Sequence, residues 1–180
     1  MNSPRLVILD RDGVINADSA EFIKSPAEWQ PLPGSLDALA RLHRAGWTVV
    51  VASNQSGVGR GLLSLTVLAQ IHDLMQEQVR AAGGVIDRVF FCPHAPEADC
   101  DCRKPRPGLL RQIEAAYGVG LGGVPAIGDS VRDVEAARAA GARPMLVLTG
   151  NGVEAARLTG VESYADLGTA VDALLREGGQ

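Results

Sequence analysis

The chain is expected to fold as an α/β protein in three layers, with a central parallel sheet between two layers of helices. Three observations predict this. Short runs rich in apolar and β-branched residues recur along the chain, and most are followed by a segment with apolar residues at helical spacing. Several of these runs are apolar without alternation, as strands covered on both faces are. Charged and small polar residues cluster directly after the runs, where open parallel sheets hold their ligands. The arrangement is Rossmann-like.

Arg5–Leu9 (RLVIL) is the first strand and stops at the acidic Asp10-Arg11-Asp12. From Asp10 to Gln30 there is no clean period, so this stretch reads as an irregular excursion. Pro31–Gly34 turns the chain into a helix over Leu36–Ala45, capped by Gly34 or Ser35 and ended by Gly46. Thr48–Ala52 (TVVVA) is a buried strand that ends at Ser53-Asn54-Gln55. The Gly-rich loop Gly57–Gly61 leads to a long helix from Ser64 to Ala82, with Leu68, Ile71, Leu74, Met75 and Val79 as its stripe. Val85–Phe91 is the third strand, and a helix over Leu109–Tyr117 follows the cysteine-containing loop. Val124–Ile127 is the fourth strand; the helix after it runs to Ala140, with Gly141 as its C-cap. Met145–Leu148 is the fifth. A glycine-containing loop, a weak strand near Ser163-Tyr164 and a helix over Leu167–Arg176 complete the pattern, and Gly178-Gly179-Gln180 is expected to fray.

The 180 residues are the length of one domain, 1–180. With 46% hydrophobic and 21% charged residues, the chain is not disordered, collagenous or a coiled-coil rod. A net charge of −4 and 4% aromatics argue against a nucleic-acid partner. No apolar stretch reaches the roughly 18 residues of a membrane span, and the first apolar run is too short for a signal peptide. A cytoplasmic monomer with no membrane partner is expected.

The strand ends share one chemistry. Asp10 and Asp12 are two positions apart on extended chain, so both carboxylates can face one site, and their repulsion invites a hard divalent cation such as Mg²⁺. Ser53 and Asn54 supply a hydroxyl and backbone N–H groups suited to a phosphate. Lys104 adds positive charge just before a helix. Asp129 stands where a further metal ligand is wanted, with Asp133 one helical turn on. Each feature alone is an ordinary strand-end turn, helix cap or solvated side chain. Their shared position and their order make the pattern.

That order of carboxylate pair, hydroxyl, lysine and carboxylate pair resembles the phosphatase branch of the haloacid dehalogenase superfamily, from about Arg5 to Arg176. The resemblance implies that Asp10 is a nucleophile forming an aspartyl-phosphate and that Asp12 is the general acid/base. It implies Mg²⁺ held by the Asp10 side chain, the Asp12 carbonyl and the Asp129 side chain. Ser53 and Lys104 match phosphate-binding positions, and Asp133 matches a group that orients Lys104 or a metal-bound water. The intervals Asp10–Ser53 and Ser53–Lys104 are already filled by other elements, so no cap domain is expected and loops should cover the site.

All three cysteines fall in one loop, 92–102, as Cys92-Pro93-His94 and Cys100-Asp101-Cys102. Three thiols and an imidazole are the ligand set of a closed structural Zn²⁺ site, which would brace Arg103 and Lys104 behind it. The zinc loop, Asp10–Val14 and Cys102–Pro105 resemble the subgroup of the superfamily that holds histidinol-phosphate and heptose-bisphosphate phosphatases. Ser53–Gly61 and the excursion Asn16–Trp29 lean to the latter. The resemblance implies loss of the 7-phosphate from a heptose 1,7-bisphosphate, a small-molecule sugar phosphate used for lipopolysaccharide core, with histidinol phosphate as the alternative. A zinc-braced binding module with an inactive site is the alternative of another class. A bisphosphate needs cations away from the reacting group, and Arg60, Arg103 and Arg106 are the candidates. His43 and His72 read as surface or cap histidines, and Trp29 and Trp47 as packing anchors. Gly57–Gly61 is not a dinucleotide fingerprint.

Overall fold

A computed structural model describes residues 5–178; the expected fraying at 179–180 lies outside them. Its centre is the most apolar run in the chain, β1 (Leu6–Leu9), in which every residue is buried. β1 is buried because it lies inside a six-stranded sheet of order β3-β2-β1-β4-β5-β6. The other strands are β2 (Thr48–Asn54), β3 (Arg88–Cys92), β4 (Pro125–Gly128), β5 (Arg143–Val147) and β6 (Ser163–Tyr164), and every pairing is parallel. The register sets Leu6 against Thr48, Leu9 against Val51 and Ile8 against Ala126. The strand order runs one way from β1 to β3 and the other way from β4 to β6. The reversal between β1 and β4 opens a crevice at their carboxyl ends.

Alternation along β1 splits the core in two. Val7 and Leu9 pack with Leu39 and Leu42 of α1 (Ser35–Arg44), Leu68, Ile71 and Met75 of α3 (Leu65–Ala81), and Leu174 of α7 (Leu167–Glu177). Leu6 and Ile8 face the other way, onto Leu109 and Ile113 of α4 (Gly108–Tyr117) and Ala136 and Ala137 of α5 (Val131–Ala140). The three-layer expectation therefore holds. Among the described residues, no helix is long and apolar enough to cross a membrane.

Three local expectations are corrected. β3 starts at Arg88 because pairing with β2 begins there, opposite Val50, whereas Val85 is exposed ahead of it. The Gly57–Gly61 segment is not all loop: Ser56–Gly59 forms one short helical turn, α2. An unforeseen helix, α6 (Gly152–Thr159), occupies the last glycine-containing loop. It shows no apolar stripe because Val153 and Leu158 are exposed and only the small Ala155 and Gly152 are buried.

Candidate active site

The strand ends bring the acidic residues together around one ammonium. Lys104 is 4% exposed, and its Nζ lies 2.7 Å from the Ala52 carbonyl, 2.5 Å from Asp133 Oδ1 and 3.1 Å from Asp10 Oδ1. Burial works against its charge, but Asp10 and Asp133 hold its pKa above the ordinary lysine value. Asp10 Oδ1 also accepts the Arg11 N–H at 2.8 Å. Burial pushes the Asp10 carboxyl up to about 8; Lys104 opposes this, and Asp133, Asp129 and Asp12 add to it. Burial likewise raises Asp129 to about 6, against the N–H of Asn151, which donates to its Oδ2 at 2.9 Å.

Asp129 fits because two glycines make room. Gly13 and Gly150 have φ of +79° and +57°, and a Cβ on either would sit 2.2 or 2.1 Å from Asp129 Oδ2. Asp133 spends its oxygens on structure: Oδ1 meets Lys104, and Oδ2 accepts from the Ser130 N–H at 3.0 Å and its hydroxyl at 2.6 Å, closing a capping box on α5. Oxygens of Asp10, Asp129 and Asp133 lie within 4.8 Å of one another. Hard oxygen donors in a site with surplus negative charge fit a Mg²⁺ ion.

Asp12 is the opposite case. Its carboxylate accepts from Arg11 Nη2 at 2.8 and 3.1 Å, from Asn16 Nδ2 at 2.9 Å and from Gln55 Nε2 at 2.8 Å. Burial alone would raise its pKa, but Arg11, Asn16 and Gln55 together hold it below the ordinary value. Arg11, which is not among the site residues expected from the sequence, is 0% exposed. His72 is also buried, a correction to its surface assignment, and its Nε2 is 3.2 Å from Arg11 Nη1. Burial, with Arg11 as second cause, lowers His72 to about 4, so the ring is neutral.

A cleft of about 340 Å³ opens over Asp10, Asp12 and Asp129. Asp18, Ser19, Phe22 and Ile23 of the irregular excursion line one side and Pro96 of the cysteine loop another, so loops roof it. Ser53 lies under the floor, 1% exposed, with its hydroxyl accepting from Gln55 at 2.8 Å, while Asn54, Gln55 and Ser56 line the wall. The Asn54 side chain is turned to the Lys104 backbone, donating to its carbonyl and accepting its N–H, each at 3.0 Å. Arg60 and Arg103 line the cleft. Arg106 does not: it donates to the Asp99 and Cys100 carbonyls and pairs with the Asp99 carboxylate. Arg132, which sequence reading did not single out as a cation, lines the cleft instead.

Cys92, His94, Cys100 and Cys102 converge. Cys102 Sγ lies 3.1 Å from Cys92 Sγ, 3.6 Å from Cys100 Sγ and 3.3 Å from His94 Nδ1, and Cys92 Sγ is 3.5 Å from both Cys100 Sγ and His94 Nδ1. A zinc tetrahedron with bonds of about 2.3 Å has edges of about 3.8 Å, so these residues fit that ion. The loop is fastened to α2, where Gly59 N donates to the Pro93 carbonyl at 2.8 Å.

A family model described as HAD-hydrolase-like matches residues 101–171, and one described as polynucleotide kinase 3 phosphatase matches residues 6–123. The D-glycero-beta-D-manno-heptose-1,7-bisphosphate 7-phosphatase of Bordetella bronchiseptica is 51% identical over 177 residues, which cover 96% of this chain and 99% of that one. The chain belongs to this heptose-bisphosphate phosphatase family. As a member of the heptose-bisphosphate phosphatases it is a phosphoric monoester hydrolase with a haloacid dehalogenase-like fold. The family's protein of the same name from Pseudomonas aeruginosa is 50% identical, covering 97% of this chain and 99% of its own. The crystal structure of the B. bronchiseptica heptose-bisphosphate phosphatase complexed with magnesium and phosphate matches with a TM-score of 0.94 over 96% of this chain and 99% of that chain.

Proposed function

We propose that the protein, acting in the cytoplasm, removes the 7-phosphate of D-glycero-beta-D-manno-heptose 1,7-bisphosphate, as the names of its relatives suggest, in the supply of heptose for lipopolysaccharide. The observation that carries this reading is the split of positive charge. Buried Lys104 serves the floor beside Asp10, whereas Arg103, which precedes it in the chain, and Arg60 and Arg132, from elsewhere in the sequence, line the same cleft. A substrate with two phosphates uses both sets.

Asp10 is the nucleophile. Its Oδ1 is held by Lys104 and the Arg11 N–H, which leaves Oδ2 to attack phosphorus as the bond to the sugar oxygen breaks. The leaving oxygen takes a proton from Asp12, giving the heptose 1-phosphate and an aspartyl-phosphate. Water then attacks that phosphorus while Asp12 takes its proton, releasing phosphate and restoring Asp10. Asp12 is ionised in the free protein; an arriving phosphate dianion raises its proton affinity for the first step. Asp10 and Asp129, with the Asp12 carbonyl, would hold Mg²⁺, which supplies the charge that keeps Asp10 ionised and offsets the phosphate. The Cys92, His94, Cys100 and Cys102 set would hold a structural Zn²⁺. Asn54, Gln55 and Ser56 wall the space for the transferring group above the buried Ser53, and Asp133 orients Lys104.

Phosphate release from heptose 1,7-bisphosphate, heptose 7-phosphate, histidinol phosphate and a 3′-phosphorylated oligonucleotide tests the reading. The bisphosphate should give the highest kcat/KM, and Asp10→Asn should abolish turnover without changing the circular dichroism spectrum. Preference for histidinol phosphate or the oligonucleotide overturns the substrate; an active Asp10→Asn overturns the nucleophile.

A further inference from the structure

The side chains of Arg11 and His72 take no part in the steps above, yet they are buried against the group those steps depend on. Arg11 is 0% exposed and His72 6%. A fully buried guanidinium is strongly unfavourable unless its donors are matched. Here Nε and Nη2 go to Asp12 Oδ1 at 3.2 and 2.8 Å, Nη2 also reaches Oδ2 at 3.1 Å, and Nη1 meets His72 Nε2 at 3.2 Å. The two ends of the fork are thus engaged differently. One side grips both carboxylate oxygens, and the other is tied to α3. A neutral ring accepts through Nε2 and carries its proton on Nδ1. The ring is itself set by Phe91 of β3, with centroids 5.7 Å apart. His72 therefore fixes the rotation of the guanidinium, and the guanidinium fixes the plane of the Asp12 carboxylate. Asn16 and Gln55 complete the setting from the chain's irregular excursion and the end of β2.

We infer that Arg11, and through it His72, are positioning residues that hold the Asp12 carboxylate at the angle needed to pass a proton to the departing sugar oxygen. This rests on the acid/base reading of Asp12. The requirement is geometric, since proton transfer needs the donor within hydrogen-bond reach and in line. It also predicts selectivity by leaving group. A sugar alkoxide leaves only with a proton, whereas p-nitrophenolate is stable without one. An error in Asp12 alone slows the first and largely spares the second.

The experiment compares wild type, Arg11→Lys, His72→Leu, His72→Gln and Asp12→Asn on two substrates. Steady-state turnover of heptose 1,7-bisphosphate reads the whole cycle; the pre-steady-state release of p-nitrophenolate from its phosphate reads the first half alone. Arg11→Lys keeps the charge and loses the fork; His72→Leu removes the acceptor; His72→Gln restores an acceptor oxygen. In Arg11→Lys and His72→Leu, kcat on the bisphosphate should fall about tenfold or more with KM nearly unchanged, and p-nitrophenolate release by less than about threefold. His72→Gln should recover most of the loss. Equal losses on both substrates, or unchanged bisphosphate turnover in His72→Leu, overturn the inference. Should His72→Leu fail to fold, Arg11→Lys against His72→Gln carries the same comparison. Asp12→Asn separates the two levels. If that variant keeps full bisphosphate turnover, the acid/base assignment falls; if it is slow while His72→Leu is normal, only the positioning pair falls.

Discussion

Asn54 grips the backbone of Lys104 from both sides, its Nδ2 donating to the Lys104 carbonyl and its Oδ1 accepting the Lys104 N–H, each at 3.0 Å. The contact ties the end of β2 to the exit of the cysteine loop across a separation of 50 residues. It leaves the ammonium to be set by the Ala52 carbonyl, Asp133 and Asp10, one for each of its protons. Asn54 therefore acts on the floor of the cleft through Lys104.

Asn54→Ala should leave both Lys104 backbone groups without partners, at a stability cost of about 1–3 kcal/mol. A displaced Lys104 should lower kcat/KM on the bisphosphate by about tenfold to a hundredfold. Asn54→Asp, which still accepts the N–H, should fall between. Urea unfolding and steady-state kinetics check both, and normal kinetics in Asn54→Ala would show that the clamp does not set the lysine.

Gly13→Ala should disturb the metal site more than the fold. Its φ of +79° and a Cβ only 2.2 Å from Asp129 Oδ2 force the carboxylate away. The Mg²⁺ concentration for half-maximal activity should rise at least about tenfold, with about 1–3 kcal/mol of strain. Gly118→Ala is the control: φ is +63°, but nothing lies within 4 Å, so stability should drop without any change in metal dependence.

Zinc should be found at about one ion per chain, because Cys92, His94, Cys100 and Cys102 converge in one cluster of the four donors such an ion takes. Chelation, or Cys100→Ser, should reduce activity before the sheet melts, since Arg103 and Lys104 directly follow Cys102. Metal analysis, thiol titration and melting followed by circular dichroism provide the readouts. A native protein free of zinc, with all three thiols reactive, would contradict this.

His72 should make the fold acid-sensitive. Its folded value of about 4 lies below the ordinary 6.5, first because of burial and then because of Arg11. Above about pH 6.5 the ring is neutral in both states. Below that the unfolded chain binds a proton that the folded chain refuses, so stability is lost as pH falls from about 6.5 to about 4. By pH 5 the loss is about 2 kcal/mol. Asp10 and Asp129, whose raised values act in the opposite direction in the metal-free protein, are common to wild type and His72→Gln. The difference between the two proteins in urea unfolding at pH 7.5 and pH 5 isolates the histidine. Equal pH slopes would show that it does not titrate as described.

The parts of this protein that its sequence determined are those governed by short-range spacing. β1, β2 and the stripe of α3 follow from apolar runs and helical periodicity, and the ends of the strands are where Asp10, Asp12, Lys104 and Asp129 had to gather once the sheet was parallel. The cluster of Cys92, His94, Cys100 and Cys102 was legible for the same reason, as two short Cys/His groups in one loop. Tertiary structure decided which partner each polar group found. Arg11 lies between two acids in the sequence, and only the docking of α3 against the sheet buries it between Asp12 and His72. Asn54 met Lys104, Arg106 turned to Asp99, and Arg132 took its place in the cleft. α6 was hidden because its larger apolar residues face outward, and β3 began where β2 offered partners. Spacing along the chain sets which residues share a face or a strand end, but a hydrogen bond closing across 50 or 61 residues depends on how separate elements dock.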